Sequence, residues 1–344
     1  LRDLLGTELP IIQAPMAGVQ ASALAVAVSN AGALGSLPCA MLDTAAMRRE
    51  LFAICSQTRK PFNVNFFCHA PPPPDAARDA AWLERLAPYY AELGVDAGAI
   101  PKGPARLPFS REAAEALAEF KPRVVSFHFG LPAPELLQLV RAWGAKVLAS
   151  ATTVEEALWL EARGVDAVIA QGLEAGGHRG MFLGDDIATQ VGTFALVPQV
   201  ARAVRVPVIA AGGIADAKGV AAAMSLGAAG VQAGTAFLLC PECTTSAVHR
   251  AALASEAARV TALTNLFTGR PSRGIVNRVM RNLGPMNAAA PRFPGAAPFM
   301  APLRARAESA GSGDFSPLWS GQNASACREA PAAEVVRELA RGLP

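Results

Sequence analysis

IAQGLEAGGHRG, residues 169–180, closes a short apolar run (Asp166–Ala170) with an amide, two adjacent glycines and a histidine, His178. VPVIAAGGI (206–214) and GVQAGTAF (230–237) repeat the pattern: an apolar run ending in small, flexible or amide-bearing residues. A parallel barrel presents its working face in this way, because the C-terminal ends of its strands carry the chemistry. Glycine at such an end lets backbone N–H groups approach a phosphate, since no Cβ stands in the way.

Outward from these three runs, short apolar segments alternate with amphipathic ones, the mark of βα units and a parallel sheet. Candidate strands are Ile11–Ala14, Ala33–Leu37, Phe62–Phe66, Val124–Phe127, Lys146–Ala149, Ala167–Ala170, Val208–Ala211 and Gly230–Ala233. About eight strands is what a closed α/β barrel wants, so a TIM-type (β/α)8 barrel is expected. The competing doubly wound sheet lacks its early G-x-G-x-x-G fingerprint. Two connecting helices are legible. Thr153 and Glu156 form a capping box before a helix stopped by Gly164, and Asp216 caps a helix stopped by Gly227.

Two regions break the rhythm. Residues 69–119 hold a PPPP run, Tyr89, Tyr90 and an amphipathic stretch at Arg111–Glu119. Residues 263–344 are rich in Pro, Gly and Arg, with helical patches at Phe299–Ala310 and Ala332–Arg341. The expected organisation is a barrel on 1–68 and 120–262, with 69–119 and 263–344 forming a smaller cap over its mouth.

Bulk composition narrows the function. With 52% hydrophobic and 17% charged residues, the 344-residue chain has material for a large core and is not disordered. The net charge of +3 and the dispersed arginines, with few aromatics between them, give no nucleic-acid footprint. No apolar run reaches the roughly 18 residues needed to span a bilayer, and LRDLLGTELP lacks the order of a signal peptide. A cytoplasmic protein is expected. Cysteines 39, 55, 68, 240, 243 and 327 have no framework spacing and read as free thiols. Cys240 and Cys243 make a single C-x-x-C, which without a second pair does not support zinc.

The loops Ala211–Ile214 and Ala233–Thr235 offer backbone N–H groups and the Thr235 hydroxyl to a phosphate; the plainer alternative is a pair of tight turns. Asn65 and Gln171, at strand ends, suit the edge of a planar heteroaromatic ring, or tie down a neighbouring loop. His128 and His178 both lie at strand C-termini and converge on one pocket, where an ordinary pKa of ~6.5 suits proton transfer. His69 and His249 lie outside strand ends and read as surface or packing residues. Arg179 could screen an anion or stand solvated. No carboxylate or third histidine has the spacing of a metal set.

The chain resembles the nitronate monooxygenases, long called 2-nitropropane dioxygenases, through PIIQAPMAG (10–18), PFNVNFF (61–67), SFHFGLP (126–132), SATTVEEA (150–157), QGLEAGGHRG (171–180), PVIAAGGIAD (207–216) and GVQAGTAFL (230–238). The match covers most of residues 8–245. It implies an FMN-dependent barrel with Ala14, Pro15 and Met16 along the flavin ring, and Asn65 and Gln171 on the ring or ribityl chain. Gly176, Gly177, Gly212, Gly213, Gln232, Ala233, Gly234 and Thr235 would surround the ribityl phosphate. His178 matches the family's active-site histidine and His128 a second histidine of the substrate pocket. Where some members carry tyrosines and a lysine in the cap, this sequence has Phe293, Phe299, Arg304 and Arg306.

The resemblance implies oxidative denitrification of an alkyl nitronate or nitroalkane by FMN and O2, giving a carbonyl compound and nitrite. A small-molecule substrate, no nucleic acid, no membrane and no metal are expected, with a homodimer as the candidate assembly. The alternatives are an FMN-dependent NAD(P)H reductase of a quinone or enoyl thioester, and a non-catalytic flavin or phosphate module. His128 and His178 argue against the last, since storage alone needs neither.

Overall fold

A computed structural model describes residues 1–101 and 106–344; within the insertion, 102–105 lie outside the described residues. In chain order the strands are β1 (Ile11–Gln13), β2 (Gly35–Pro38), β3 (Phe62–Phe67), β4 (Val124–His128), β5 (Lys146–Ala151), β6 (Ala167–Gln171), β7 (Gly177–His178), β8 (Val208–Ala211), β9 (Gly230–Ala233), β10 (Thr261–Thr264) and β11 (Ser272–Ile275). Eight of them form one parallel sheet in the order β1-β9-β8-β6-β5-β4-β3-β2. Leu34, just before β2, donates to the Ile11 carbonyl at 2.9 Å and accepts from the Gln13 N–H at 2.9 Å, which closes the barrel. The (β/α)8 expectation is met, with strand bounds displaced by two residues at most.

Alternation along the strands explains what faces inward. Leu34, Val124, Leu148, Ala167, Ile169 and Ile209 fill the lower barrel, where Leu5 from the N-terminal helix Arg2–Leu5 plugs the base. Two residues beyond Leu34, Val124, Leu148 and Ile169 the inward positions turn polar, at Ser36, Ser126, Ser150 and Gln171, and Asn65 of β3 joins them. Asn63 donates to the Ser36 and Ser126 hydroxyls at 3.0 and 2.9 Å, so this layer is tied across strands. The outward positions, such as Phe62, Val64, Phe66, Val125 and Phe127, pack under the helices.

The insertion and the C-terminal region share a second core. Trp82, Leu86 and Tyr90 of helix Ala76–Leu93 pack with Leu266, Met300 and Leu303 from the C-terminal region. The Tyr90 hydroxyl donates to the Phe299 carbonyl at 2.6 Å. A small antiparallel sheet, β10-β11-β7, joins this cap to the loop after β6. Two helices that the sequence placed with the cap pack in the barrel wall instead. Arg111–Phe120 buries Ala114, Ala116 and Leu117 in the main core, and Ala332–Ala340 buries Val335, Val336 and Leu339 there. The reason is connectivity: a parallel crossover from β3 to β4 needs a helix on the sheet, and Arg111–Phe120 serves as that helix.

Candidate functional site

At the C-terminal end of the barrel opens a cleft of about 1300 Å³, counting its mouth. Ala14, Pro15, Met16, Asn65, His128, Gln171, Gly176, Gly177, His178, Gly212, Gly213, Gln232, Gly234 and Thr235 all line it. Ala233 does not; it is 1% exposed and packs in the main core, as alternation from Gln232 requires.

The IAQGLEAGGHRG segment is held by more contacts than its sequence announces. Gly177 and His178 form β7, pairing with Arg273 and Ser272 of β11. Gly177 has φ 71°, a left-handed conformation that glycine adopts without strain. At Gly176 an added Cβ would lie 2.6 Å from the Gly321 nitrogen, so the C-terminal segment can approach only a glycine. Gln171 spends its amide on this loop, donating to the His178 carbonyl at 3.0 Å and accepting from the Gly180 N–H at 2.7 Å. Of its two expected roles, tying down the loop is the one seen. Arg179 neither screens an anion nor stands in solvent. It is fully buried and donates to the carbonyls of Gln171 (2.8 Å) and Gly172 (2.7 Å) and to Gln190 (3.0 Å), satisfying the end of β6.

Glu156 departs from its expected part in a capping box. Thr153 does cap its helix, accepting from the Glu156 N–H at 3.2 Å. The Glu156 carboxylate instead accepts from Thr152 (2.6 and 2.7 Å) and from the Phe182 N–H (2.5 Å), and it is 2% exposed. It thus anchors the far end of the His178 loop.

His178 lines the same cleft as the glycine loops, with its Nε2 at 3.0 Å from the Thr268 hydroxyl. Its ring neighbours are Phe293 at 5.3 Å and Trp319 at 5.7 Å. His128 Nε2 is 3.2 Å from the His178 carbonyl, which only accepts, so Nε2 carries the proton. Burial, and then the nearby Arg270 and Arg179 charges, push His128 down to about 3 despite that hydrogen bond. His178 is held well below 6.5 by burial first, then by Arg106, His128, Arg270 and His69. The expected base of ordinary pKa is therefore replaced by two neutral imidazoles. Of the two histidines read as surface or packing, His69 packs against Phe293 with ring centroids 4.8 Å apart. His249 lines the cleft and donates to the Trp319 carbonyl at 3.0 Å.

The glycine loops make a cradle in the same cleft. Gly213 has φ 72°, and an added Cβ at Gly234 would sit 3.3 Å from Ala14 Cβ and 3.7 Å from Met16 Sδ. Thr235 accepts from the Gly321 N–H at 3.0 Å, and Asn323 donates to the Gly213 carbonyl at 3.0 Å. The Gln232 Oε1 is buried at the cleft without a hydrogen-bond partner among the described residues. Asn65 holds Ser126 through Nδ2 at 2.9 Å while lining the cleft.

Sequence reasoning missed the cap's contribution: Arg106, Thr268, Arg270, Trp319, Gly321 and Asn323. Only FTGRPSRG (267–274) carried a signal, two arginines, Arg270 and Arg273, on either side of Pro271-Ser272. Of the four cap residues singled out, Phe293 alone reaches His178. Phe299 meets Tyr90, Arg304 pairs with Glu308 at 2.8 Å and Arg306 bonds the Leu93 carbonyl, because helix Ala296–Ser309 turns toward the insertion helix.

Known proteins fit this geometry. The nitronate monooxygenase family model matches residues 1–342. A nitronate monooxygenase of Pseudomonas aeruginosa is 45% identical over 99% of this chain and 97% of its own. One from Paraburkholderia phytofirmans is 44% identical over 100% of this chain and 94% of its own. Among solved structures, a nitroalkane oxidase from Streptomyces ansochromogenes superposes with a TM-score of 0.90 at 39% identity, covering 99% of this chain and 97% of that one. FabK from Thermotoga maritima gives a TM-score of 0.72 at 29% identity, covering 98% and 93%. From the glycine cradle to the capped His178 loop, and over its whole length, the chain belongs to the nitronate monooxygenase family.

Proposed function

We propose that this chain is an FMN-dependent oxidoreductase that oxidises alkyl nitronates with dioxygen, giving a carbonyl compound and nitrite. The observation that carries the reading is the charge of the cleft: Arg106 and three neutral histidines line it, and no carboxylate does among the described residues. Such a site favours an anion, and a nitronate is the anionic form of a nitroalkane.

The residues fit a flavin mononucleotide. Gly212 and Gly213, both at positive φ, line the cleft with Gly234 and Thr235, and the Gln232 Oε1, without a partner among the described residues, would accept from a donor such as a ribityl hydroxyl. Ala14, Pro15 and Met16 would support one edge of the ring, with Asn65 facing its polar side and Gly176 and Gly177 closing the phosphate end. When bound, FMN supplies an electron acceptor that dioxygen regenerates. The protein's own part is to bind and orient. His178, hydrogen-bonded to Thr268, presents a neutral imidazole to the substrate, and His128 fixes the His178 carbonyl. Phe67, Phe129 and Phe293 exclude water around both rings.

The NAD(P)H reductase reading is not favoured, since the relatives at 44–45% identity carry the nitronate monooxygenase name. The test is anaerobic mixing of purified protein with NADH and, separately, with ethyl nitronate, followed by nitrite measurement in air. Bleaching by nitronate and nitrite release support the proposal; bleaching by NADH alone overturns it. Mass analysis of the released flavin distinguishes FMN from FAD.

A further inference from the structure

We infer that Arg106 is the anion receptor of this cleft and selects the ionised nitronate over the neutral nitroalkane, an inference resting on the nitronate reading above. Arg106 reaches the cleft from the insertion, beside the wall that holds His128 and His178. The other arginines nearby are already engaged. Arg179 serves the β6 carbonyls, Arg273 the Leu173 carbonyl at 2.9 Å, and Arg304 the Glu308 carboxylate. Arg270 bonds the Met181 carbonyl and lies 4.0 Å over the Phe129 ring. Arg106 and Arg270 each leave a buried Nε with no hydrogen-bond partner among the described residues, but of the two only Arg106 lines the cleft.

A guanidinium whose Nε is shut off from water, with no counter-ion among the described residues, carries a desolvation cost that an entering anion offsets. Its planar fork of N–H donors matches two oxygens on one planar centre, the geometry that makes arginine bidentate toward carboxylates. A nitronate presents that same pair of oxygens with the negative charge upon them. A neutral nitro group offers the shape without the charge, and charge-assisted hydrogen bonds are about twice as strong as neutral ones. Arg106 also helps keep His178 neutral, so the anion bound to it meets an uncharged imidazole. Arg106 thus selects for charge and adds to the burial that already holds the histidine neutral.

The test uses the flavin-loaded enzyme, Arg106→Gln and Arg106→Lys, with nitrate as a planar, unreactive anion. Nitrate affinity is read from its perturbation of the flavin spectrum, and KM and kcat are measured for ethyl nitronate and nitroethane. For Arg106→Gln, nitrate affinity should fall and nitronate KM rise by roughly ten- to a hundredfold, the range of a hydrogen bond to a charged group. The nitronate kcat should move much less, and the nitroethane KM should stay within about twofold. Arg106→Lys, which keeps the charge and loses the fork, should recover part of the loss. Equal losses for both substrate forms, unchanged nitrate affinity, or loss of flavin from Arg106→Gln would each overturn the inference. A wild type that binds nitrate through Arg106 but oxidises no nitronate would leave the receptor standing and remove the nitronate reading.

Discussion

His178 shows how far a residue's surroundings can move it from its ordinary chemistry. A free imidazole titrates near 6.5, yet burial and four neighbouring basic groups hold this one well below that. With His128 at about 3 and His249 at about 4, the cleft's imidazoles are all neutral across the physiological range. The kcat/KM for a preformed nitronate should therefore show no inflection between pH 6 and 8; an inflection near 6.5 would mean that a protonated imidazole binds the substrate. A neutral nitroalkane, which must first lose a proton, meets a weak base and should reduce the flavin slowly. His178→Asn should still impair that neutral form more than the nitronate, since general-base catalysis contributes on the order of 10²–10⁴-fold. Equal impairment of both forms in anaerobic flavin-reduction rates would reassign His178 to binding alone.

At the level of elements, the barrel strands were legible because each is a short apolar run ended by turn residues, a signal contained in a few neighbours. Helix capping was legible for the same reason, as Asp216 accepting from the Gly219 N–H at 2.8 Å attests. Glu156 misled because its carboxylate, although correctly spaced for a capping box, finds backbone donors 26 residues away at Phe182. The glycine loops were readable, whereas Gly321 and Asn323 were not: their place at the cradle depends on a tail that returns from the end of the chain. The cradle makes its own prediction. Gly234→Val would put side-chain atoms against Ala14 and Met16, and Gly213→Val would force a β-branched residue to φ 72°, a conformation costing roughly 1–2 kcal/mol. Both variants should purify folded but with little flavin, judged by the ratio of visible to ultraviolet absorbance. Full flavin content in both would move the phosphate site elsewhere.

Across the whole molecule, cap and barrel meet at the histidines, and this joins the architecture to acid stability. His69 packs on Phe293, His249 bonds Trp319, and His178 bonds Thr268, so three of the four histidines bridge barrel segments to the C-terminal region. Burial is the first cause of each depressed pKa, with His69 and His249 at about 4 and His128 at about 3. In the unfolded chain each would titrate near 6.5. Between that value and the folded one the unfolded state binds more protons, so stability rises with pH there. The contribution is fully present above about 6.5 and is lost as pH falls toward 4 and then 3. The urea midpoint should accordingly drop steeply between pH 6.5 and 4.5, with the cap opening first as reported by Trp319 fluorescence. His69 offers the cleanest control, because neither ring nitrogen has a hydrogen-bond partner among the described residues. His69→Leu removes one titrating group and two unsatisfied buried atoms from an aromatic pocket. It should flatten the acid slope by up to one proton while leaving stability at pH 7.5 equal or higher. An unaltered slope in His69→Leu would show that the protons enter elsewhere and that this histidine does not couple the cap to pH.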